Sequence, residues 1–393
     1  MTMSMALLLS GCGGSGSDGE DAGESASGAK KEELHIAISA NPPSLDPQSI
    51  NSNIVGGIGA HVYEPLFAMN ADFEPTPVLA ESYEMSEDGM VYTIKLREGV
   101  KFHNGEEMTA DDVVASMNRW LEVSAKANTL IGGSSFEKVD DYTVDLNVNQ
   151  ASSDIIMILA SPIQAAAIYP AEVVETATAE GIDEYIGTGP YKVSEWKQDQ
   201  YVKLEAYEDY QPSEGEGSGL AGEKQAATGT LYFDVVTDAS TRIAGVQSGE
   251  YDIAEEIPVD NYEELSADSN LTLNVDKGGT LNLFLDTTEG VMANQTLRQA
   301  ILAALNCDDI MMAAYGNADL YEINAGWSDP ADTQWGTDAG SEYYNQNNIE
   351  KSKELLEEAG YNNEKPCSCD NTGLSGDVQR YTCRTGKSEA GRY

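Results

Sequence analysis

Histidine and cysteine are the side chains in this sequence best suited to catalysis or to metal binding. The chain has three histidines, which are His35, His61 and His103. None of them belongs to an HExxH motif or to another metal-binding spacing, so structural roles are expected. Cys367, Cys369 and Cys383 supply three thiols near the C-terminus, whereas a structural zinc site needs four ligands. The sequence therefore predicts no metal and no cofactor.

Motifs for a nucleophile or a nucleotide are equally weak. Gly373-Leu374-Ser375-Gly376 lacks the spacing of a nucleophile elbow. Gly56-Gly57-Ile58-Gly59 does not match the dinucleotide-binding fingerprint. The chain has 67 acidic residues, so two neighbouring carboxylates would be no evidence for acid-base catalysis. We expect a binding protein and no enzyme, with a secreted hydrolase using an unrecognised carboxylate or serine site as the alternative.

The net charge and the length of the chain further restrict its possible partners and its number of domains. The formal net charge is -45, and only 22 basic residues are spread along the chain. Nucleic-acid binding needs clustered Lys and Arg, so no nucleic-acid partner is expected. A length of 393 residues predicts two or three domains.

The N-terminus carries a localisation signal. Residues 5–9 are apolar, and Leu9-Ser10-Gly11-Cys12 matches the lipobox that is cleaved before a lipid-modified cysteine. No Lys or Arg precedes the short apolar run, so we interpret residues 1–11 as an incomplete signal peptide whose true start codon lies upstream. Residues 12–33 then form a polar, flexible linker with a lipid on Cys12. The alternative is an apolar N-terminus with an incidental cysteine.

The densest structural pattern lies in residues 86–121. Tyr92, Ile94 and Leu96 alternate with polar residues, as in a strand with one apolar face. Thr109 followed by Asp112 is close to a capping box. An amphipathic helix is predicted after it, with an apolar stripe formed by Val113, Val114, Met117, Trp120 and Leu121.

This block resembles the signature region of the family 5 solute-binding proteins, the peptide and nickel receptors of ABC importers. The resemblance covers roughly residues 34–361. It continues through Tyr63-Glu64-Pro65-Leu66-Phe67, Leu79-Ala80-Glu81-Ser82, Gly187-Thr188-Gly189-Pro190-Tyr191 and residues 240–254, 296–316 and 350–361.

The resemblance implies an α/β, two-lobed periplasmic-binding-protein-like (type II) fold with a small inserted domain and an incomplete C-terminal part. The expected domains are lobe I at 34–70 and 186–275, the inserted domain at 71–185 and part of lobe II at 276–366. Within them we predict a strand at 281–285, a buried thiol at Cys307, and a tight structural crossing at 187–191 that side chains would obstruct.

The implied function is that of an extracytoplasmic, lipid-anchored receptor. It would capture a peptide by lobe closure and deliver it unchanged to the permease subunits of an ABC transporter, as a monomer held to the membrane by its lipid. Alternatives are a receptor for a nickel chelate or another oligomeric solute, and an inactive truncated product.

Candidate ligand-binding residues follow from position in the family. Three of them, Asn41, Ser44 and Leu45, lie on the loop after the first strand. The others are Tyr63, Asn282, Phe284 and Trp327. Each has a competing interpretation, because aromatic side chains also fill cores and a serine beside proline also forms turns.

Residues 367–393 differ from the rest of the chain. They contain three of the five cysteines and no apolar periodicity. Codons compatible with this segment include a shifted frame that encodes a strand-like sequence resembling the family. We therefore predict a frameshift at this point, which sequencing of the gene around codon 366 would test.

Overall fold

The computed structural model describes residues 3–7, 31–178, 181–276, 281–326, 336–362, 367–373 and 379–385. Cys12 and Trp327 lie outside these residues, as do most of the predicted signal peptide and linker.

The chain divides into two compact units. The larger comprises Met5–Ile257 and Asn270–Thr272, and the smaller comprises Met1–Ser4, Pro258–Ser269 and Leu273–Tyr393. The larger unit therefore contains both the predicted inserted domain and most of predicted lobe I, whose boundaries stay predictions.

Up to residue 257 the helices and strands are β1 (Met3–Leu7), β2 (Glu33–Ile38), α1 (Asn53–Val62), β3 (Phe67–Met69), β4 (Pro75–Pro77), β5 (Ala80–Met85), β6 (Val91–Leu96), α2 (Ala110–Val123), α3 (Ala125–Ile131), β7 (Ser135–Asp140), β8 (Thr143–Asn147), α4 (Ile155–Ala160), α5 (Ala171–Thr176), β9 (Tyr191–Lys197), β10 (Tyr201–Ala206), β11 (Thr230–Val235), α6 (Ala239–Ser248) and β12 (Ile253–Ala254).

A mixed sheet forms the centre of one core in the larger unit. Its strands follow the order β1-β12-β2-β11-β10-β9. β2 is parallel to both β11 and β12, while β10 is antiparallel to β9 and β11. Apolar side chains of β2, α1, β10 and β11 form this core, together with Tyr63 and Tyr169.

A second core lies under the antiparallel sheet of order β5-β6-β8-β7. The predicted strand face is confirmed, because Tyr92, Ile94 and Leu96 are buried. The predicted helix is α2, which packs Met117 and Trp120 into the same core. Its start also agrees with the sequence, since the Asp112 carboxylate accepts hydrogen bonds from the backbone N–H and hydroxyl of Thr109 at 2.8 and 3.0 Å.

The tight crossing predicted at residues 187–191 is present beside the end of α1. A Cβ atom on Gly187 would lie 2.1 Å from the carbonyl oxygen of Val62, and one on Gly189 would lie 2.6 Å from that of His61. Only glycine allows such a close backbone approach, so these residues are needed for packing.

The remaining elements are α7 (Tyr262–Ser266), β13 (Leu271–Val275), α8 (Gln295–Ala304), α9 (Cys307–Tyr315), α10 (Ile349–Glu358), β14 (Cys367–Gly373) and β15 (Gln379–Thr385). Gly316 ends α9 with a φ of 71°, and Gly360 follows α10 with a φ of 85°. The last two strands pair antiparallel with each other.

Two predictions for the smaller unit were wrong. Residues 281–285 form no strand, and Leu281 and Phe284 are 66% and 71% exposed. Alternating apolar residues form a stable strand only beside a pairing neighbour and under a covering layer. Cys307 is half-buried and not fully buried, because it is the first residue of α9 and is followed by the exposed Asp308 and Asp309.

Candidate functional site

A cavity of about 330 Å³ opens on the larger unit beside the first turn of α1. We call it the α1 cavity. Its lining residues are Pro47, Ile50, Asn51, Ser52, Asn53, Gly56, Gly57, Gly59, Ala60, Tyr63, Glu64, Pro65, Ala68, residues 160–165, Ala167, Leu220 and Lys224. The lining is mainly apolar, and Ile163 and Leu220 keep 55% and 37% of their surface exposed. Such a concave surface with a few polar groups suits a small ligand.

Glycine residues form the helical wall of the α1 cavity. Gly56 and Gly57 lie inside α1, where glycine costs ~0.5–1 kcal/mol relative to alanine. Neither has a positive φ, and a Cβ atom added at either position would meet no other atom within 4 Å. Conformation and packing therefore do not require them. What they provide is open space next to the helix backbone.

Glu64 is a completely buried carboxylate in the cavity wall. Its Oε1 accepts a hydrogen bond from the Tyr210 hydroxyl at 2.9 Å, and its Oε2 accepts one from the Thr188 hydroxyl at 3.0 Å. Burial raises the pKa of this carboxyl, although the charge of Lys224 and the two hydrogen bonds oppose that shift. Both oxygens of Glu64 are thus already bonded within the protein.

Lys224 is the cation of the α1 cavity, and it is half-buried. Within the described residues its ammonium group forms no ion pair and no hydrogen bond. Its charge is felt by neighbouring groups, because it lowers the pKa of His61, for which burial is the larger cause. The same charge also lowers the pKa of the buried Glu64 carboxyl, so Lys224 interacts electrostatically with the carboxylate in the cavity wall.

Tyr63 lines the same cavity, but its hydroxyl is buried and not accessible from it. The side chain is 4% exposed, and its hydroxyl has no hydrogen-bond partner among the described residues. Burial raises the pKa of Tyr63 well above its usual value, with a further contribution from the negative charge of Asp46. A buried hydroxyl without a partner is uncommon and costs free energy.

The loop between β2 and α1 is anchored by a buried polar cluster that we call the Asp46 network. Its members are Ser44, Asp46, Gln48, Arg119 and Tyr169. Nη2 of Arg119 lies 2.6 Å from Oδ2 of Asp46, and the Tyr169 hydroxyl donates to Oδ1 of Asp46 at 2.8 Å. Nη1 of Arg119 also donates to the side chain of Gln48 at 2.7 Å.

The Asp46 network joins the two cores of the larger unit. Asp46 follows β2 of the mixed sheet, whereas Arg119 belongs to α2 of the other core. Gln48 completes the link, because its Nε2 donates to the backbone oxygens of Ser116 and Ala167 at 3.0 and 2.8 Å. The polar groups of the network are buried and bond to one another. The network therefore stabilises the fold and positions the loop beside the α1 cavity.

A second polar region lies where the parallel strands end. The hydroxyl of Ser39, after β2, donates to the Glu256 carboxylate that follows β12. Asn41 bridges this edge, since its Nδ2 donates to the carbonyl of Pro42 and its Oδ1 accepts from the N–H of Asp199, each at 3.1 Å. Ligands of open α/β sheets bind at the carboxyl ends of such strands. Asn41 therefore occupies a suitable position for binding.

The predicted site residues fall into separate places. Of those in the larger unit, Tyr63 alone lines the α1 cavity. Ser44 and Leu45 are 7% and 2% exposed, with Leu45 in the core and the Ser44 hydroxyl accepting from the N–H of Asp46. Asn282 and Phe284 belong to the smaller unit, and both are exposed. Trp327 lies outside the described residues. A ligand contact by these residues stays a prediction.

Sequence reasoning missed most of the α1 cavity. Lys224 lies in a polar loop that gave no motif, and residues 160–165 come from a connection between helices. The sequence did contain one signal, the pair Gly56 and Gly57 inside an otherwise apolar run. We tested this pair only against the dinucleotide-binding fingerprint, which it does not match. A glycine pair in a helix that needs no special φ could have indicated open space.

The described residues contain no group of three or more His, Cys, Asp or Glu side chains arranged to hold a metal ion. Among the same residues, no helix has the length and apolar composition needed to span a membrane.

Comparisons with known proteins agree on one family. Residues 74–386 match the model described as bacterial extracellular solute-binding proteins, family 5 middle. This range ends within residues 367–393. The glutathione-binding protein GsiB of Escherichia coli O1:K1 / APEC is 30% identical over 343 residues, which cover 84% of this chain and 62% of that protein. The chain thus spans less than two thirds of this relative.

Solved structures of binding proteins are also similar. The ABC transporter-associated periplasmic binding protein DppA from Helicobacter pylori, in complex with peptide STSA, is 25% identical with a TM-score of 0.66, over 84% of this chain and 66% of that one. NikA from Brucella suis, in complex with Fe(III)-EDTA, is 25% identical with a TM-score of 0.65, over 89% of this chain and 67% of that one.

Proposed function

This chain belongs to the family 5 bacterial extracellular solute-binding proteins, and we propose that it captures a small peptide outside the cytoplasm and delivers it unchanged to the permease of an ABC importer. The resemblance seen in the sequence and the α/β, periplasmic-binding-protein-like fold class are confirmed. The ligand, the permease and the absence of catalysis belong to the proposal.

The α1 cavity is the observation that supports binding most directly. It combines an apolar wall, a half-buried lysine beside a buried carboxylate and helical glycines that leave space. A peptide is the proposed ligand class because one neighbour was solved with a peptide and one relative is named for glutathione, itself a tripeptide. The chelate in the NikA structure makes a metal chelate the second class to test.

Filling the cavity tests its role. In Gly57→Leu the new side chain would enter the open space beside α1, so the fold should be kept while a ligand is excluded. We expect helix stability to rise by up to about 1 kcal/mol, because glycine is a poor helix former. Binding of a random tripeptide mixture, measured by gel filtration and mass spectrometry of the retained peptides, should fall about tenfold or more for a loss of about 1.4 kcal/mol.

Gly57→Ala is the matched control, since it gives the same helix benefit and fills little of the space. It should retain peptides nearly as the unmodified chain does. Equal retention by Gly57→Leu would remove the α1 cavity from the proposal. New peptide masses in the mixture would instead indicate hydrolysis. Retention of a nickel chelate with no retention of any peptide would favour the second ligand class.

Lipid attachment at Cys12 is part of the same proposal and rests on the lipobox match in the sequence. The intact mass of the protein purified from membranes should include a diacylglycerol group that is absent from Cys12→Ala. An unmodified mass would end this part of the proposal without affecting ligand binding.

A further inference from the structure

His103 links the two cores of the larger unit. It lies on the loop between β6 and α2, directly after Phe102, which is buried in the core under the antiparallel sheet. Its hydrogen-bond partners belong to the crossing at residues 187–191, which runs beside the end of α1 and leads into β9 of the mixed sheet. The backbone N–H of His103 also donates to the carbonyl of Gly187 at 2.9 Å. One residue therefore fastens a loop of one core to the crossing of the other.

Both ring nitrogens of His103 bond to the backbone of the crossing. The N–H of Gly187 donates to Nδ1 at 3.2 Å, and Nε2 lies 2.9 Å from the carbonyl oxygen of Gly189. These partners select one neutral tautomer, in which Nδ1 accepts and Nε2–H donates. A protonated imidazole carries N–H at both nitrogens, so its Nδ1–H would point at the N–H of Gly187. The bond from Gly187 therefore requires a neutral ring.

The crossing has little room to adapt on its other side. The N–H of Gly189 donates to the carbonyl of Val62 at 2.9 Å, and the hydroxyl of Thr188 donates to the buried Glu64 carboxylate at 3.0 Å. The glycine backbone is already so close to α1 that no Cβ atom would fit. A shift of the crossing toward α1 is thus blocked. A charged ring is accommodated only when His103 and its loop move away.

The groups that face the ring do not favour its charge. Tyr207, which follows β10, contacts it edge to face with ring centroids 5.1 Å apart, and the other charged group that acts on it is Lys192 on β9. Burial lowers the pKa of His103 to about 4, and the positive charge of Lys192 acts in the same direction.

No carboxylate of the described residues bonds to the His103 ring. Glu106 on the same loop and Glu172 on α5 are exposed, and both accept from the side chain of Asn104. On the side of the crossing, both oxygens of Glu64 are taken by hydroxyl groups. A proton on the ring would therefore find no partner in the closed arrangement.

We propose that His103 is an acid-sensitive clasp, which holds the two cores together at the crossing while its ring is neutral and releases the crossing when Nδ1 takes up a proton. The proton comes from solvent and occupies the lone pair that accepts from Gly187. Gly187 also lies against the ring of Tyr63 in the wall of the α1 cavity, so the release changes the shape of that cavity. The clasp does not depend on which ligand the protein carries.

Hydrogen exchange of the full chain at pH 7.5 and pH 5.0 tests the clasp. In the released state His103 titrates near 6.5, whereas in the closed state its pKa is about 4. Release is therefore about twenty- to thirtyfold more favourable at pH 5.0 than at pH 7.5. After correction for the pH dependence of intrinsic exchange, the protection of the Gly187 N–H should fall by this factor.

Two variants isolate the titration of His103. His103→Gln keeps a neutral acceptor for Gly187 and a neutral donor for Gly189 but takes up no proton, so protection should change less than about threefold between the two pH values. His35→Gln is the matched control, because His35 is a partly exposed histidine that bonds to Asp234 on the mixed sheet. It should show the same fall in protection as the unmodified chain.

Nuclear magnetic resonance of the full chain with ¹⁵N-labelled histidine gives a result even if His103→Gln does not fold. The signals of His35 and His61 are identified by their loss in His35→Gln and His61→Phe. The remaining signal should show the Nε2–H tautomer at neutral pH and titrate near pH 4. Titration near 6.5, an Nδ1–H tautomer, or an equal fall of Gly187 protection in His103→Gln would overturn the proposal.

Discussion

The Asp46 network and the α1 cavity both include residues of the loop that connects β2 to α1. They differ in whether their polar groups have hydrogen-bond or ion-pair partners within the protein. In the Asp46 network every charge has an opposite charge or a hydrogen bond within the protein, and solvent has no access. In the α1 cavity, the Lys224 ammonium group forms no hydrogen bond and no ion pair with the described residues, although its charge acts on the buried Glu64 carboxylate. A complete buried network stabilises the fold, whereas a cation at an open cavity can contact a ligand.

Tyr63 and Tyr169 show the same difference between a hydroxyl with a hydrogen-bond partner and one without. Their rings are 5.1 Å apart in an edge-to-face contact, and both are buried. The hydroxyl of Tyr169 donates to Asp46, but that of Tyr63 has no described partner. The same residue type in nearly the same surroundings therefore has a bonded hydroxyl in one case and an unpaired, buried hydroxyl in the other.

The largest effect should come from breaking the Asp46 network. Arg119→Met would leave the Asp46 carboxylate buried without its positive partner, and losing one member of a buried ion pair costs about 3–5 kcal/mol. The free energy of unfolding, measured with urea, should fall by that amount. The control is Lys138→Met, which breaks exposed ion pairs with Asp111 and Asp141 and should change stability little. Equal losses in the two variants would contradict an architectural role.

The tyrosine pair sharpens the comparison. Tyr169→Phe removes a hydrogen bond to a buried carboxylate and should cost roughly 1.5–3 kcal/mol, the range for bonds to charged groups. Tyr63→Phe removes a hydroxyl that has no described partner, so stability should be unchanged or slightly higher. Urea unfolding of both variants measures the difference. A similar loss in both would mean that the Tyr63 hydroxyl is bonded in the apo protein.

The smallest effect concerns His61, at the far end of α1. Burial, assisted by the charge of Lys224, lowers its pKa to about 4, whereas an unfolded histidine titrates near 6.5. Between these values the unfolded chain binds a proton that the folded chain does not, so stability falls as the pH falls from 6.5 to 4. Above pH 6.5 this histidine contributes no pH dependence.

His61→Phe should remove that contribution, which at pH 5.5 amounts to about 1–2 kcal/mol. The measurement is the free energy of urea unfolding at pH 7.5 and pH 5.5 for both proteins. The difference between the two proteins isolates His61 from the carboxyl groups, which titrate in both. Identical pH dependence would show that His61 titrates normally in the fold.

Much of the larger unit could be predicted because its signals are local. Alternation of Tyr92, Ile94 and Leu96 fixed the buried face of β6, and Thr109 with Asp112 marked the start of α2. The crossing at Gly187 and Gly189 was also predicted, as a motif of the family resemblance in which side chains would obstruct the backbone. Patterns of this kind need only neighbouring residues.

The candidate site was harder to predict because its parts are distant in sequence. Lys224, Tyr63 and the first turn of α1 come together only through the fold, and none belongs to a motif. The Asp46 network likewise pairs an aspartate after β2 with an arginine in α2. In a chain with 67 acidic residues, no pattern identifies which carboxylate is buried beside which cation. The strand predicted at residues 281–285 failed for the related reason that pairing depends on a distant neighbour.

The position of β2 in its sheet has a consequence for biogenesis. Glu33 pairs with Thr230 and Ile36 with Ile253, so the central strand is among the first parts synthesised and among the last to find its neighbours. Closing such large loops is slow, and topologies with distant contacts fold slowly. The antiparallel sheet of β5 to β8 can form early, while β2 has neither of its parallel neighbours until β11 (Thr230–Val235) has been synthesised. A nascent chain with this delay keeps its central strand unpaired for much of its synthesis.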